Sequence, residues 1–430
     1  MQRERVVITG IGVVSPIGNT REEFWSACLA GVSGAERLTS PWVKDTGLAT
    51  QIGAPLKGFD PVRAGLPSRQ VSILDPVCWY ALVASGEALA DAGFSLVPDA
   101  DRRDGLTVDG VDPSRLGTLL GTGIGGLNTI EASHGLWRES KSKTSIKRYS
   151  LPMLIPNAAA GQVAIRFGAK GECKAVCTAC AAGTMALGDA WRLLRDGEAD
   201  AVLAGGSEAF VSDDDAYGLM GFERLKTMST RNDDPKRASR PFDKERDGFV
   251  LGEGSAMLVL EREAHARARG AIPYAFVSGY ASNCDAASIM QPDESGQTIV
   301  ALIQAATRSA GLSPQDVGHV SAHGTSTIAN DRTESRALRL LLGSRADDVP
   351  VTALKSMTGH AIGASGALET AAAALSLREG VLTPTINYEF PDPECDLDVV
   401  SSPRRARPDV VLKMSYGFGG HNACLVLTRA

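Results

Sequence analysis

The sequence predicts an α/β protein in which buried strands alternate with alanine-rich helices. Short runs rich in β-branched residues, Leu and Ala end in Gly or Ser and recur along the chain, at 6–10, 116–123, 201–206, 255–261, 274–280, 351–356 and 424–429. Runs that are apolar at nearly every position are typical of strands covered on both faces. Between them, helical spacing of apolar residues is found at 80–93, 183–197 and 298–311. The alternation indicates a layered α/β architecture.

The length of the chain favours two or three domains, or one large duplicated fold. It has 430 residues, about three times a typical domain. Residues 222–248 are polar and contain proline, which predicts an extended excursion near the midpoint. We therefore divide the chain into halves of 1–258 and 259–430, although no internal sequence repeat is visible.

Composition argues against several functional classes. The 44 basic and 50 acidic residues give a net charge of -6, so no nucleic-acid partner is expected. No uninterrupted apolar stretch is long enough for a membrane helix. The N-terminal apolar run is broken by Gly10 and Gly12 and predicts a first strand and turn, not a signal peptide. Eight cysteines are too few for a secreted disulfide framework, which favours a reducing cytoplasm.

Two motifs resemble cofactor sites without the context that such sites need. Cys173, Cys177 and Cys180 have a CxxxCxxC spacing, but AVCTA around Cys177 has the pattern of a buried strand, whose alternation sends neighbouring side chains to opposite faces. GTGIGG at 121–126 fits GxGxxG, yet the segment that follows is not a strand and offers no acidic residue in the required place. We interpret the first spacing as accidental and the glycines as a site of close backbone approach.

Cys180 is the first candidate nucleophile. A strand is expected to end at Thr178, and Cys180 then lies in a turn of small residues that opens a helix. The free N–H groups and partial positive charge at a helix N-terminus favour a thiolate. The small neighbours leave room for a bulky acyl group on sulfur. A buried structural cysteine is the alternative for Cys180, and it is the preferred interpretation for Cys173 and Cys177.

Two of the six histidines lie in unusual contexts. His323 follows a strand and precedes Asp331 and Glu334 by eight and eleven positions, whereas Lys355 ends a strand and precedes His360 by five. A metal site would need a third ligand at compatible spacing, and none is visible, so no metal is expected. We interpret both histidines as neutral N–H donors at a cavity, held by nearby carboxylates and by Lys355. The glycine-dense loop at 415–422 offers backbone N–H groups to a reacting oxygen.

Taken together, these motifs make the chain resemble the β-ketoacyl-acyl-carrier-protein synthases of the thiolase-like superfamily, most closely the elongating type II ketosynthases. The resemblance runs essentially from end to end. Its blocks are VVITGIGVVSPIGN, GTGIGG, TACAAG, GGSEA, residues 229–254, HGTST, KSMTGH and GFGG. The resemblance implies a duplicated, five-layered α-β-α-β-α fold and a dimer.

The resemblance also assigns roles to individual residues. Cys180 matches the nucleophile that accepts the acyl chain, and His323 and His360 match the pair that stabilises the enolate formed from malonyl-carrier protein. Lys355 matches the lysine that organises this pair. The remaining matches are Asp331 and Glu334 as supporting groups, the N–H groups of Cys180 and Phe418 as the oxyanion hole, Phe418 as a gate, Thr325 and Thr327 at the pantetheine arm, and Ile124 at the acyl pocket.

The implied activity is a decarboxylative Claisen condensation of a Cys-bound acyl chain with malonyl-acyl-carrier protein, in fatty-acid or type II polyketide synthesis. The acyl groups would arrive on the phosphopantetheine of an acyl carrier protein, so no separate cofactor is expected. The dimer would be a homodimer or a heterodimer with a chain-length factor. A surface for the acidic carrier is expected at the basic cluster Arg138, Lys141, Lys143, Lys147 and Arg148, for which a merely solvated face is the alternative.

Departures from the family pattern concern substrate and partner choice. Ser288 and Met290 stand where fatty-acid enzymes typically carry histidine and threonine, His421 stands where many relatives have threonine, and Leu74–Trp79 differs from the usual helix start near the dimer interface. Two other functions remain as alternatives. A non-catalytic chain-length factor would lack the nucleophile, and a degradative thiolase would need a second catalytic cysteine near the C-terminus, whereas Cys424 lies in an expected strand.

Overall fold

The computed structural model describes residues 4–211 and 217–430. The strands in this part of the chain are β1 (Val6–Val14), β2 (Glu36–Arg37), β3 (Ile52–Gly53), β4 (Ser95–Pro98), β5 (Leu106–Asp109), β6 (Leu116–Gly121), β7 (Cys173–Val176), β8 (Ala201–Glu208), β9 (Gly254–Arg262), β10 (Ala275–Cys284), β11 (His319–Ser321), β12 (Val351–Thr352), β13 (Val381–Leu382), β14 (Arg404–Arg405), β15 (Val410–Gly417) and β16 (His421–Arg429). Each of the seven runs predicted as strands overlaps one of them, although the run at 351–356 is a strand only in its first two residues.

The helices are α1 (Arg21–Ala30), α2 (Pro41–Asp45), α3 (Ser68–Ile73), α4 (Pro76–Asp91), α5 (Leu127–Ser140), α6 (Ser150–Leu154), α7 (Ala158–Phe167), α8 (Ala182–Arg195), α9 (Tyr217–Arg224), α10 (Glu263–Ala268), α11 (Gln297–Ser309), α12 (Ile328–Leu342), α13 (Lys355–Thr358) and α14 (Ser365–Glu379). The three predicted helices correspond to α4, α8 and α11. Among the described residues, no helix combines the length and the apolar character needed to cross a membrane.

Ten of the described strands form one sheet, in the order β12-β11-β15-β16-β10-β1-β9-β8-β6-β7. From the outer edge to the centre, the first half runs β7-β6-β8-β9-β1 and the second half runs β12-β11-β15-β16-β10. If the five strands of each half are numbered in chain order, both halves have the same spatial order, 3-2-4-5-1. The two halves join where β1 pairs with β10 over three residue pairs. A repeated strand order is the structural sign of duplication that the sequence itself does not display. The division drawn at 258/259 falls inside β9, so the repeat places it after Arg262.

Three apolar clusters separate the layers. One cluster joins α4 and α7 to the first half-sheet, and another joins α11 and α12 to the second. Between them a third cluster surrounds α8 and α14, which contact strands of both half-sheets. The order is therefore helix, sheet, helix, sheet, helix, which confirms the five-layered fold. Every residue of α14 from Ser365 to Leu377 is buried.

Small residues allow the outer helix to approach the first strand closely. A Cβ at Gly12 in β1 would lie 1.9 Å from the carbonyl oxygen of Ala84 in α4, so glycine is required there. Asp75 caps α4, since its carboxylate accepts the N–H of Val77 at 3.1 Å, and Pro76 occupies the first helical position, where its missing N–H costs nothing. The segment Leu74–Trp79, which differs from the family pattern, thus contains a capped helix start.

Strand β7 corrects the interpretation of AVCTA as buried. It forms the edge of the sheet, pairs in parallel with β6, and leaves Cys173 and Lys174 exposed. An apolar run at a sheet edge has the same pattern as a core strand, because the pattern does not reveal which surface covers it. The excursion at 222–248 is irregular apart from the end of α9 and a short turn at Pro235–Arg237. A buried ion pair between Arg240 and Asp243 at 2.9 Å holds it.

Candidate active site

Loops from both halves of the molecule meet at one cavity of about 280 Å³. Its lining comes from the turn after β7, from segment 222–249, from the loops after β10, β11 and β12, and from the hairpin between β15 and β16. Cys180, His323 and His360 all line it. The three side chains that the sequence singled out therefore share one space. Phe418, Thr325 and Thr327 also line the cavity, as the resemblance implied.

Cys180 lies in a one-turn helix, Ala179–Ala181, that leads directly into α8. Ala179 has a φ of 49°, a left-handed conformation that turns the chain sharply between β7 and the helix. The predicted turn and helix start are confirmed, but the expected ionisation is not. Burial raises the pKa of the Cys180 thiol to about 12, although Lys355 lowers it. At neutral pH the free side chain is thus a thiol, because burial outweighs the helix terminus.

Backbone N–H groups converge on the sulfur of Cys180. Hydrogen bonds from the N–H groups of Cys180 and Phe418 lower the pKa of this thiol, in opposition to burial. Close packing at Gly417 makes the geometry possible, since a Cβ there would lie 2.9 Å from the carbonyl oxygen of Thr178 and 3.1 Å from the nitrogen of Cys180. The two N–H groups can donate to an oxyanion that forms at a carbonyl bound to this sulfur.

His323 is held in one tautomer by Lys355. The Lys355 ammonium lies 3.1 Å from Nδ1 of His323 and donates to the carbonyl oxygen of the same residue at 2.6 Å. An ammonium has hydrogens to donate and no lone pair to accept with. Nδ1 of His323 is therefore the acceptor, and the proton of the neutral ring lies on Nε2.

His360 is fixed by its backbone and by a hydroxyl group. Its N–H donates to the carbonyl oxygen of Val250 at 2.7 Å, and its Nδ1 lies 2.9 Å from the hydroxyl oxygen of Ser365, the first residue of α14. The rings of His323 and His360 are 5.5 Å apart and nearly perpendicular. Burial, together with the positive charge of Lys355, holds the pKa of both imidazoles well below its ordinary value. Both rings are neutral at physiological pH, as predicted.

A buried ion cluster behind the histidines was not predicted. Glu369 on α14 lies between two lysines, with Oε1 2.5 Å from Nζ of Lys355 and Oε2 2.6 Å from Nζ of Lys413 on β15. All three side chains are almost fully buried. The signal was available in the sequence, since Glu369 stands in an alanine-rich helix and Lys413 follows three apolar residues in β15.

The two expected supporting carboxylates act on the backbone. Glu334 accepts the N–H groups of His323 and Gly324 at 2.8 and 2.9 Å, so it fixes the loop that carries the histidine without touching the imidazole. Burial raises the pKa of Glu334 to about 7, against these two hydrogen bonds. Asp331 accepts the N–H of Phe242 at 2.9 Å and lies one turn away on α12. Neither carboxylate lines the cavity.

Glu208 at the end of β8 is a further residue that the sequence analysis missed. Its carboxylate accepts the hydroxyl of Thr122 at 3.0 Å and the N–H groups of Gly123 and Gly363 at 2.5 and 2.9 Å. It thereby joins a loop of the first half to the loop after His360. Burial raises the pKa of Glu208 to about 7, and its hydrogen bonds lower it. The acid residue in GGSEA was visible, but the loops it joins are distant in sequence.

The other residues singled out from the sequence are divided between the cavity and the rest of the molecule. Ile124 is 39% exposed and is not among the residues that line the cavity with Cys180. Met290 lines the cavity, whereas the hydroxyl of Ser288 caps the turn before it by accepting the N–H of Met290 at 3.2 Å. Cys424 is buried in β16 and is also outside the cavity lining. The five residues of the basic cluster, Arg138, Lys141, Lys143, Lys147 and Arg148, are all exposed.

Comparison with known proteins identifies the family. Residues 3–266 match the N-terminal domain of β-ketoacyl synthases, and residues 274–389 match the C-terminal domain. The chain is 41% identical to 3-oxoacyl-[acyl-carrier-protein] synthase 2 of Synechocystis sp., over 100% of this chain and 99% of the relative. It is 39% identical, with the same coverage, to the synthase of that name from Staphylococcus aureus strain N315.

Solved structures agree with this comparison. A type II polyketide ketosynthase in complex with its acyl-carrier protein and bound to the hexaketide superposes with a TM-score of 0.88, at 33% identity and 100% coverage of both chains. The ishigamide ketosynthase/chain length factor gives a TM-score of 0.86, at 32% identity and the same coverage. The chain therefore belongs to the β-ketoacyl synthase family of acyltransferases.

Proposed function

We propose that this chain joins a Cys180-bound acyl group to the two-carbon unit of malonyl-acyl-carrier protein, with loss of CO2, to give a β-ketoacyl-carrier protein. The observation that carries the proposal is the meeting of one thiol and two imidazoles in a single cavity. Each imidazole has its Nδ1 occupied by Lys355 or Ser365. A hydroxyl can donate to Nδ1, as the ammonium does, and each ring then offers Nε2–H as a donor.

The first half-reaction is acyl transfer. The sulfur of Cys180 attacks the thioester carbonyl of the acyl-carrier protein, and the tetrahedral oxyanion takes hydrogen bonds from the N–H groups of Cys180 and Phe418. The carbon–sulfur bond to phosphopantetheine then breaks, and its sulfur leaves with the proton that the Cys180 thiol gives up. Because burial keeps this thiol protonated, proton loss accompanies the attack instead of preceding it.

The second half-reaction makes the carbon–carbon bond. Loss of CO2 from the malonyl group leaves an enolate, whose oxygen accepts hydrogen bonds from Nε2–H of His323 and of His360. The enolate carbon attacks the carbonyl bound to Cys180, and the bond from carbon to sulfur breaks. Cys180 is released as a thiolate and takes a proton from solvent water. Two neutral donors suit this step, because a protonated imidazole would instead give the enolate carbon or oxygen a proton.

Carrier protein and a second subunit complete the proposal. The substrates arrive on phosphopantetheine, Thr325 and Thr327 contact that arm, and no separate cofactor takes part. The exposed basic cluster, defined above as five residues between Arg138 and Arg148, receives the acidic carrier.

The outer edge of β7 is exposed and pairs with the same edge of a second subunit, either a copy of this chain or a chain-length factor. Exposed free thiols such as Cys173 suit a reducing cytoplasm.

Purified protein supplied with acyl-carrier protein and malonyl-carrier protein tests the function. We expect CO2 release and a β-ketoacyl product that is two carbons longer, measured by intact mass of the carrier. Cys180→Ala should lose acyl transfer, whereas Cys424→Ala, a matched change of a buried cysteine outside the cavity, should keep it. Full turnover by Cys180→Ala would overturn the assignment of the nucleophile.

A further inference from the structure

Two lysines share one buried carboxylate directly behind the imidazoles. Lys355 and Lys413 approach the two oxygens of Glu369 at 2.5 and 2.6 Å, and the three side chains are at most 1% exposed. Burying an unpaired ammonium is costly, and one carboxylate balances only one of the two. The cluster therefore carries one net positive charge when all three groups are ionised.

Lys413 also connects the two halves of the site. Its ammonium donates to the hydroxyl of Ser415 at 2.9 Å, and that hydroxyl lies 2.8 Å from the hydroxyl of Thr184. Thr184 stands on α8, the helix that Cys180 leads into. A continuous polar chain thus runs from Nδ1 of His323 through the cluster to the helix of the nucleophile.

The remaining charged and titratable groups near the imidazoles do not cancel this positive charge at acidic pH. Glu334 faces the cluster from α12, but burial raises its pKa to about 7, so it is neutral below that pH. The Tyr416 ring lies 5.4 Å from His323, and burial raises its pKa far above the ordinary value. Cys180 is a thiol in the same range. The groups that face the rings are therefore Lys355 from α13, Lys413 and Tyr416 from β15, Glu369 from α14, Glu334 from α12, and Cys180.

We propose that Lys413 is a positioning residue of the condensation site: it pairs with Glu369 opposite Lys355, keeps the buried cluster positively charged, and so keeps both imidazoles in the neutral, hydrogen-donating form. The catalytic meaning of this inference rests on the proposed function. Lys355 alone, paired with Glu369, would form a neutral pair. Burial is the largest cause of the low pKa of both imidazoles, and the positive charges of Lys355 and Lys413 lower it further. Lys413 adds the charge that Glu369 does not balance.

The test is to titrate the imidazoles by NMR on protein labelled with ¹⁵N-histidine, with signals assigned by single His→Asn variants. In the parent protein, His323 and His360 should stay neutral down to pH 5. In Lys413→Met the cluster is neutral, and the pH at which each ring becomes protonated should rise into the range in which the parent rings stay neutral. In Lys413→Met/Glu369→Gln the net charge of one is restored, and both rings should again stay neutral. Lys57→Met, which breaks an exposed pair with Glu36, is the matched control and should change neither ring.

Each outcome bears on the proposal. Unchanged imidazoles in Lys413→Met overturn it, as does a titration that persists in the double variant. If Lys413→Met does not fold, a folded double variant supports the charge pairing, because Glu369→Gln removes the need for a second cation. If neither variant folds, Lys413 serves packing and the proposal is wrong.

The readout also separates this inference from the proposed function, since the titration needs no turnover. A parent protein that fails to condense acyl groups refutes the function and leaves the role of Lys413 to the NMR result. If the parent does condense, the acidic limb of its pH–rate profile should move to higher pH in Lys413→Met, while KM for the acyl-carrier protein stays the same. A loss that is uniform at all pH values would indicate a merely structural role.

Discussion

Removal of the Ser365 hydroxyl should slow condensation and leave acyl transfer intact. The hydroxyl lies 2.9 Å from Nδ1 of His360 and is buried. A neutral hydrogen bond contributes about 1 kcal/mol, and a buried group left without a partner costs about 1–3 kcal/mol. In Ser365→Ala, His360 is free to carry its proton on Nδ1, and this tautomer cannot donate to the enolate. A loss of about 1–2 kcal/mol in the transition state predicts a condensation rate lower by roughly 5- to 30-fold.

The two half-reactions can be measured separately. Acyl transfer to Cys180 is followed in a single turnover by intact mass, and condensation is followed by CO2 release from malonyl-carrier protein. Ser376→Ala, on the same helix and equally buried but outside the cavity lining, is the matched control. The reasoning fails if Ser365→Ala slows both half-reactions by the same factor, or if condensation keeps its full rate.

Three further perturbations test other parts of the site. Gly417→Ala should slow acylation of Cys180 roughly 100-fold, because the new Cβ meets the carbonyl oxygen of Thr178 at 2.9 Å and displaces the N–H donors. Gly161→Ala, where a Cβ has open space, should leave the acylation rate unchanged. Equal acylation rates in the two variants would contradict this expectation. Burial raises the Glu208 pKa from 4.5 to about 7, so its stabilising contribution is complete at acidic pH and is lost as pH rises to 7. The free energy of unfolding of the parent in urea, relative to that of Glu208→Gln, should therefore fall by about 3 kcal/mol between pH 4.5 and 7. A difference that rises with pH would refute the raised pKa. Alkylation of Cys180 by iodoacetamide should rise about tenfold per pH unit through pH 9, whereas a plateau near pH 7 would show a thiolate stabilised despite burial.

The grouping of Cys180, His323 and His360 could be predicted because each follows a strand, or a strand and a short helix, in a glycine- or alanine-rich turn. Loops that follow strands gather at one edge of a sheet, so local pattern was sufficient there. The partners of Glu369 could not be predicted in this way. Its two lysines come from α13 and β15, which lie on either side of it in sequence, and no periodicity links an ion pair across layers.

Burial was the physical quantity that the sequence analysis judged least well. The helix terminus was expected to ionise Cys180, but the thiol is enclosed and its pKa rises. The strand before Cys177 was expected to be buried, but it lies at the edge of the sheet and its first two residues are exposed. A run of apolar residues indicates a surface that is covered from water. It does not indicate whether the cover comes from the same chain or from another one.

Helix α14 has a consequence for how such a protein can diversify. Its residues are enclosed from Ser365 to Leu377, and its first two turns carry the hydroxyl and the carboxylate that hold the chemistry in place. A larger side chain at almost any of these positions would push the two half-sheets apart, so the helix tolerates few substitutions. Substitutions at Leu225 and Met290, which line the cavity and lie outside this helix, can alter the shape of the cavity while leaving the helix unchanged.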